Sequence, residues 1–216
     1  MTQTAMARLA GFLLLWLIVT GLAGALTISH IAGSGTFVEV AHRVAASERL
    51  YRLALSSELV ETLSALLLAF ALYVTLKPVN QLVAQIAMYW RIAESLIGCV
   101  GVIFGFVKLR LYTSGQPEAL LPLLRAAGTA AYNIGALSFS IGSILFYYLF
   151  FKSRYIPRIL SALGVFASAV VTIICLAALI FPEHSGALQY GWAPMAIAEV
   201  LTGVWLIVFA VKPQPQ

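Results

Sequence analysis

An all-α integral membrane fold is what this sequence predicts: a six-span helical bundle with an amphipathic helix between the first and second spans. Three observations carry it. Of the 216 residues, 62% are hydrophobic and 10% are charged, with a mean hydropathy of +0.97, whereas soluble domains carry about 25% charged residues. A soluble chain this apolar would expose large adhesive patches. Apolar runs of about the 20 residues needed to cross hydrocarbon recur along the chain. Lys, Arg, Tyr and Pro gather at the ends of those runs, where basic and aromatic side chains reach the interface and Pro stops a helix. One membrane domain over residues 1–216 uses the whole chain. The net charge of +5 does not point to nucleic acid, because the basic residues flank apolar segments instead of forming runs with exposed aromatics.

Met1 to Ala7 is a short tail, and Arg8 precedes the first span, residues 9–28. Ala23-Gly24-Ala25 has the form of a signal-peptidase site, but the apolar run exceeds the roughly 7–15 residues of a signal peptide. The reading is a retained span. Ser29 to Arg52 is a longer connection broken by Gly33-Ser34-Gly35. Within it Phe37, Val40, Ala41 and Val44 recur at helical spacing, with Glu39 and Arg43 at i, i+4, as are Glu48 and Arg52. This predicts an amphipathic helix at the interface.

Span two is 53–76, closed by Lys77-Pro78, and span three is 82–107. Gly101 and Gly105, at i, i+4, offer a close helix–helix contact. Lys108 to Arg125 is expected to be a second long connection, with Pro117 suiting a helix start. Span four, 127–151, carries a small-residue stripe at Ala127, Ala131, Gly135, Ser138 and Gly142. A basic turn from Lys152 to Arg158 leads to span five, 159–181, ended by Pro182. Span six is 192–211, closed by Lys212-Pro213. Cys99 and Cys175 fall inside apolar segments and read as small buried residues, not as a disulfide framework.

Six spans put both termini on one side of the membrane. That side carries Arg8, Lys77, Lys152, Arg154, Arg158 and Lys212 in short segments. Dense basic residues close to the membrane favour the cytoplasm for it.

The segments Leu72 to Asn80 (Leu-Tyr-Val-Thr-Leu-Lys-Pro-Val-Asn) and Arg91-Ile92-Ala93-Glu94 resemble a bacterial family of multi-pass membrane proteins known as a domain of unknown function. Lys152 to Gly164 resembles the family's second recurring turn, and Glu48 to Arg52 the stretch ahead of span two. The resemblance covers nearly the whole chain. It implies an integral protein of the bacterial inner membrane with about six or seven spans, and it implies no activity, cofactor or substrate.

The polar residues inside the spans carry the functional question. A charged side chain at a helix centre costs about 2.5–3.5 kcal/mol on insertion scales, so such residues face a protein interior or a water-filled cavity. Glu58 and Glu61 are at i, i+3 in span two, and Arg91 and Glu94 are at i, i+3 in span three, each pair on one helix face. Glu199 lies in span six. At about 1.5 Å per residue, Arg91 lies roughly 15 Å from the Lys77 end and Glu94 roughly 5 Å further. The candidate cluster is therefore Glu58, Glu61, Arg91, Glu94 and Glu199, a polar funnel open away from the termini with Arg91 at its bottom.

Two readings of the cluster stand. It can bind a small cationic or zwitterionic solute or protons, with Arg91 as fixed counter-charge. It can equally be an ion-pair network that fixes helix packing, in a structural or accessory protein. A catalytic site is the weakest reading, since no nucleophile elbow, phosphate-binding glycine loop or membrane-embedded His is present. His30, His42 and His184 fall in connections without standard ligand spacing, so no metal and no cofactor are expected. Asn133 reads as a helix–helix hydrogen-bonding residue. Trp16, Trp90, Trp192 and Trp205 read as packing or belt residues. The expected partners are the lipid bilayer and a small-molecule ligand or another membrane protein, and not nucleic acid.

Overall fold

A computed structural model describes residues 2–114, 118–181 and 189–211. Seven α-helices account for most of them: α1 (Gln3–Ala32), α2 (Phe37–Ala46), α3 (Glu48–Leu76), α4 (Gln81–Thr113), α5 (Leu121–Ser153), α6 (Arg158–Ile180) and α7 (Ala193–Val208). Among the described residues there is no strand. Five helices, α1, α3, α4, α5 and α6, are long and apolar enough to cross a membrane, whereas α7 has 16 residues and follows a 3-10 turn at Gln189–Trp192. Large apolar side chains such as Val19, Leu67, Ile159 and Ile173 are exposed on the outer faces. Such a coat suits lipid and not water. The protein is a multi-pass membrane protein.

Local chemistry sets the helix ends. The N-terminus of α1 is capped by the Thr2 hydroxyl, which accepts from the Ala5 N–H at 3.3 Å. Its C-terminus is turned by Gly33 at φ 58, a left-handed conformation that glycine adopts without a Cβ clash. Thr36 and Glu39 form a reciprocal capping box on α2. The Glu39 carboxylate accepts from the Thr36 N–H at 2.8 Å. That backbone hydrogen bond, followed by the one with the Thr36 side chain, holds the Glu39 carboxyl below the ordinary carboxylate range.

The expected i, i+4 pair of Glu39 with Arg43 does not form. Arg43 instead reaches back to the end of α1, donating to the carbonyls of Ala32 at 2.5 Å, Ser34 at 2.9 Å and Ile31 at 3.4 Å. Orphan carbonyls at a helix C-terminus attract a cation more strongly than one exposed carboxylate already engaged in a cap. The Glu48–Arg52 pair does form, at 2.6 Å.

At the Lys77 turn, the Val79 N–H donates to the Leu76 carbonyl at 3.0 Å and Asn80 caps α4 by accepting from the Val83 N–H at 3.1 Å. Pro78 thus ends one helix and Asn80 starts the next within four residues, Lys77–Asn80. The second basic turn begins at Arg154, a left-handed residue at φ 58 that closes α5.

Six helices pack as a closed ring in chain order. α1 packs on α3, α3 on α4, α4 on α5, α5 on α6, α6 on α7, and α7 back on α1. Directions alternate. Gln3 Nε2 donates to the Thr75 carbonyl at 2.8 Å and to the Tyr155 hydroxyl at 3.0 Å, and Thr4 Oγ1 to the Val211 carbonyl at 3.5 Å. The start of α1, the Lys77 and Arg154 turns and Val211 therefore share one end. A dense apolar core with Ala10, Leu14, Leu72, Phe146, Phe150 and Leu206 fills that end. A second cluster at the opposite end buries Ile31, Val40, Val44, Tyr51, Leu109 and Leu121. There α2 packs mainly against α4 and α1.

Several expected boundaries are corrected. Lys108 and Arg125 are helical, since α4 runs to Thr113 and α5 begins at Leu121. The extra turns bury Leu109, Leu111, Tyr112 and Leu121 in the second cluster, and that packing holds helix beyond the apolar window. α3 likewise starts at Glu48, and α1 extends to Ala32. Gly101 makes no helix contact, because a Cβ there would meet nothing within 4 Å. Gly98 and Gly105 take the contacts with α3 instead, against Thr62 and Leu55. Pro117, Pro182, Glu183, His184, Lys212 and Pro213 lie outside the described residues.

A hollow ring lined by carboxylates

The centre of the ring is hollow. A cavity of about 830 Å³ is lined by all six ring helices. Glu58 and Glu61 enter it from α3, Glu94 from α4 and Glu199 from α7. The helical period does this locally on α3, because residues three apart share a face. Glycine keeps the space open: Gly101 and Gly128 line the cavity, and a Cβ at Gly128 would meet only Phe104, at 3.9 Å.

Arg91 lies beneath the cavity floor with 4% of its surface exposed. Its Nε is 3.1 Å from Glu94 Oε2, and its guanidinium carbon is 4.5 Å from the centroid of the Phe139 ring. The ion pair is close but misaligned: Arg91 Nε and Nη1 and Glu94 Oε2 make no hydrogen bond. Close approach of α5 to this point needs Gly142, whose Cβ would lie 3.1 Å from Arg91 Cγ and 3.0 Å from the Ala87 carbonyl oxygen. Arg91 and Glu199 also border a small separate void of about 20 Å³, beside Tyr147 and Thr202. Glu199 therefore reaches both spaces. Glu61 makes no ion pair with Arg91 and instead accepts from its neighbour Thr62 Oγ1 at 3.2 Å. Ser95 Oγ donates to the Thr62 carbonyl at 2.6 Å and ties α4 to α3 beside the cavity.

Further lining groups lie beyond the cluster expected from sequence. Lys108 and Arg125 stand at the end of the cavity away from the Lys77 turn. As loop charges they would have no place in it. The signal is present on α4, since Glu94, Gly101 and Lys108 follow one another at intervals of seven, which is one helix face. Trp192, expected in packing or a belt, also lines the cavity. Its ring is 6.0 Å from Tyr132 and 5.9 Å from Phe139, centroid to centroid. Asn133 is a correction as well. It is 7% exposed and faces the cavity, and its side chain bonds to no other helix among the described residues.

Chemically, the arrangement offers carboxylates at several depths, an aromatic wall, and a guanidinium that cannot lose its proton. A polar space of this kind inside apolar helices is where membrane proteins bind solutes or relay ions. The family model described as Domain of unknown function (DUF4386) matches residues 9–210, nearly the whole chain. The chain belongs to that family, whose description names no activity. No curated protein and no solved structure matches it.

Proposed function

We propose that this member of the DUF4386 family is a six-span protein of the bacterial inner membrane that binds a small solute in its central cavity and passes it across. In this reading residues 1–216 form one membrane domain, and α7 with its preceding 3-10 turn is the sixth span. α2 is an amphipathic helix lying at the interface, and both termini are cytoplasmic. One observation carries the function: carboxylates from α3, α4 and α7 line a single space of about 830 Å³, within the size range of small-molecule sites. A network serving only to fix packing would close on itself. Among the described residues, Arg91 pairs with Glu94 alone, and Glu58 and Glu199 have no ion-pair partner.

The cavity is sealed at the Lys77 end by Leu14, Leu72, Phe146 and Phe150 and reaches the other end at Lys108 and the exposed Arg125. A midplane site accessible from one face is what an alternating-access carrier presents in one of its states. The second reading, a structural or accessory protein that docks another membrane protein, is favoured by the Arg91–Phe139 stack, which locks α4 to α5. Protons in place of a solute would use the same carboxylates.

The test is a thermal-shift screen of small solutes on the purified full-length protein, joined to proton-flux assays in proteoliposomes. A ligand that binds only the folded state raises the melting temperature. The expected result is a saturable shift lost in Glu199→Gln. No shift by any solute and no proton flux would leave the packing reading in its place.

A further inference from the structure

The cavity is not chemically uniform, and its inner half selects a class of ligand. One of its charges is already answered, Glu94 by Arg91 at 3.1 Å, and Glu58 lies one helical turn nearer the rim than Glu61. Glu61 and Glu199 remain, on α3 and α7, without a basic partner within ion-pair distance among the described residues. Both line the same space as Glu94. Unpaired carboxylates that face one low-dielectric space are satisfied by protonation or by a cation held among them.

The same space has an aromatic wall. Tyr132, about a third of the way along α5, lines it with its ring centroid 6.0 Å from that of Trp192. Aromatic faces attract organic cations through the ring quadrupole and cover their apolar parts. One face of Phe139 is taken by Arg91, which leaves Tyr132 and Trp192 as the available pair. Asn133 adds a neutral polar group to the same wall: 7% exposed, it lines the cavity and has no hydrogen-bond partner among the described residues, so its amide is available to whatever fills the space.

The carboxylates are spread around the ring. Among the described residues no three His, Cys, Asp or Glu side chains converge as a metal cage would require. A bare ion would also leave most of the roughly 830 Å³ unfilled.

We infer that the cavity takes a monovalent organic cation with an apolar body, its charge between Glu61 and Glu199 and its body against Tyr132 and Trp192. The inference rests on the binding reading above and names the ligand class for that site. Lys108 and Arg125 at the rim then act as a filter, repelling small multivalent cations while admitting a diffuse, weakly hydrated charge.

The probe is benzyltrimethylammonium, titrated by calorimetry and tryptophan fluorescence into the full-length protein in detergent. Its neutral isostere, neopentylbenzene, serves as the comparison. Saturable binding of the cation and none of the isostere is expected. Tyr132→Ala should weaken it by about 5- to 30-fold, the span of a desolvated cation–π contact. Glu61→Gln and Glu199→Gln should each weaken it on the order of tenfold or more, the scale of a charge-assisted contact, while Glu199→Asp retains binding. The ligand-free melting temperature of each variant separates lost binding from lost fold. Equal binding of the neutral isostere overturns the inference. So does binding of an anion or an uncharged polar solute with none of the cation, and that result leaves the binding reading standing. Failure of every class of solute removes both.

Discussion

The guanidinium of Arg91 stands over the Phe139 ring, its central carbon 4.5 Å from the ring centroid, while the same group faces Glu94 across 3.1 Å. One buried cation thus joins two residues of α4 to one of α5. Breaking a buried pair by removing one partner costs on the order of 3–5 kcal/mol, whereas replacing both can be near neutral. Arg91→Leu is expected to destabilise strongly, and Arg91→Leu with Glu94→Leu to recover much of the loss. Phe139→Leu should cost more in the parent protein than in the Arg91→Leu background, by about 1–2 kcal/mol. Melting temperatures of singles and doubles, read as double-mutant cycles, decide it, and strict additivity for both pairs would show that Arg91 is coupled to neither.

Arg43 closes the end of α1 from another helix. Its three hydrogen bonds to the carbonyls of Ile31, Ala32 and Ser34 are charge-assisted and partly exposed, so Arg43→Met should cost about 1–2 kcal/mol. Arg43→Lys should recover only part, since an ammonium lacks the planar fork. Amide exchange should quicken around residues 29–36 and leave the centre of α1 unchanged. Uniform quickening across α1 would argue that the cap has no local role.

The capping box of α2 makes a pH prediction. Glu39 has its folded carboxyl held below the ordinary range, chiefly by the Thr36 N–H. Its stabilising contribution is therefore fully present above the unfolded carboxylate range and is lost as pH falls through the lowered folded value. Amide protection of α2 should be flat at neutral pH and fall only in acid. In Glu39→Gln that acid-dependent step should disappear. Persistence of an identical step in the variant would assign it to another group.

The topology prediction follows from the two short basic turns. Reporter fusions after Val79 and Arg154 should show cytoplasmic activity, and fusions after Glu118 the opposite, because dense Lys and Arg near the membrane are retained inside. Periplasmic activity after Arg154 would reverse the orientation and turn the Lys108–Arg125 end of the cavity toward the cytoplasm.

Much of this protein follows from local pattern. Helix existence follows from apolar run length, and the Lys77–Asn80 turn from a proline that stops one helix and an asparagine that caps the next. Glu58 with Glu61, and Arg91 with Glu94, are neighbours because 3.6 residues make a turn. Each of these depends on residues close in sequence, so the chain alone determines them.

Tertiary packing decided the rest. Glu199 reaches the cavity only because α7 closes the ring onto α1, where Gly11 and Gly203 let two backbones meet. Nothing in the spacing around Glu199 states which helix it will face. Arg43 abandons Glu39 for carbonyls that another helix leaves unpaired. Lys108 and Arg125 became lining residues because burial of Leu109 and Leu121 prolonged their helices. Gly101, spaced for a contact, faces empty space, because the rotation of α4 is set by Gly98 and Gly105 against α3. Which faces meet is a property of the whole ring: each rotation is fixed by contacts between residues far apart in the chain, and no local periodicity encodes them.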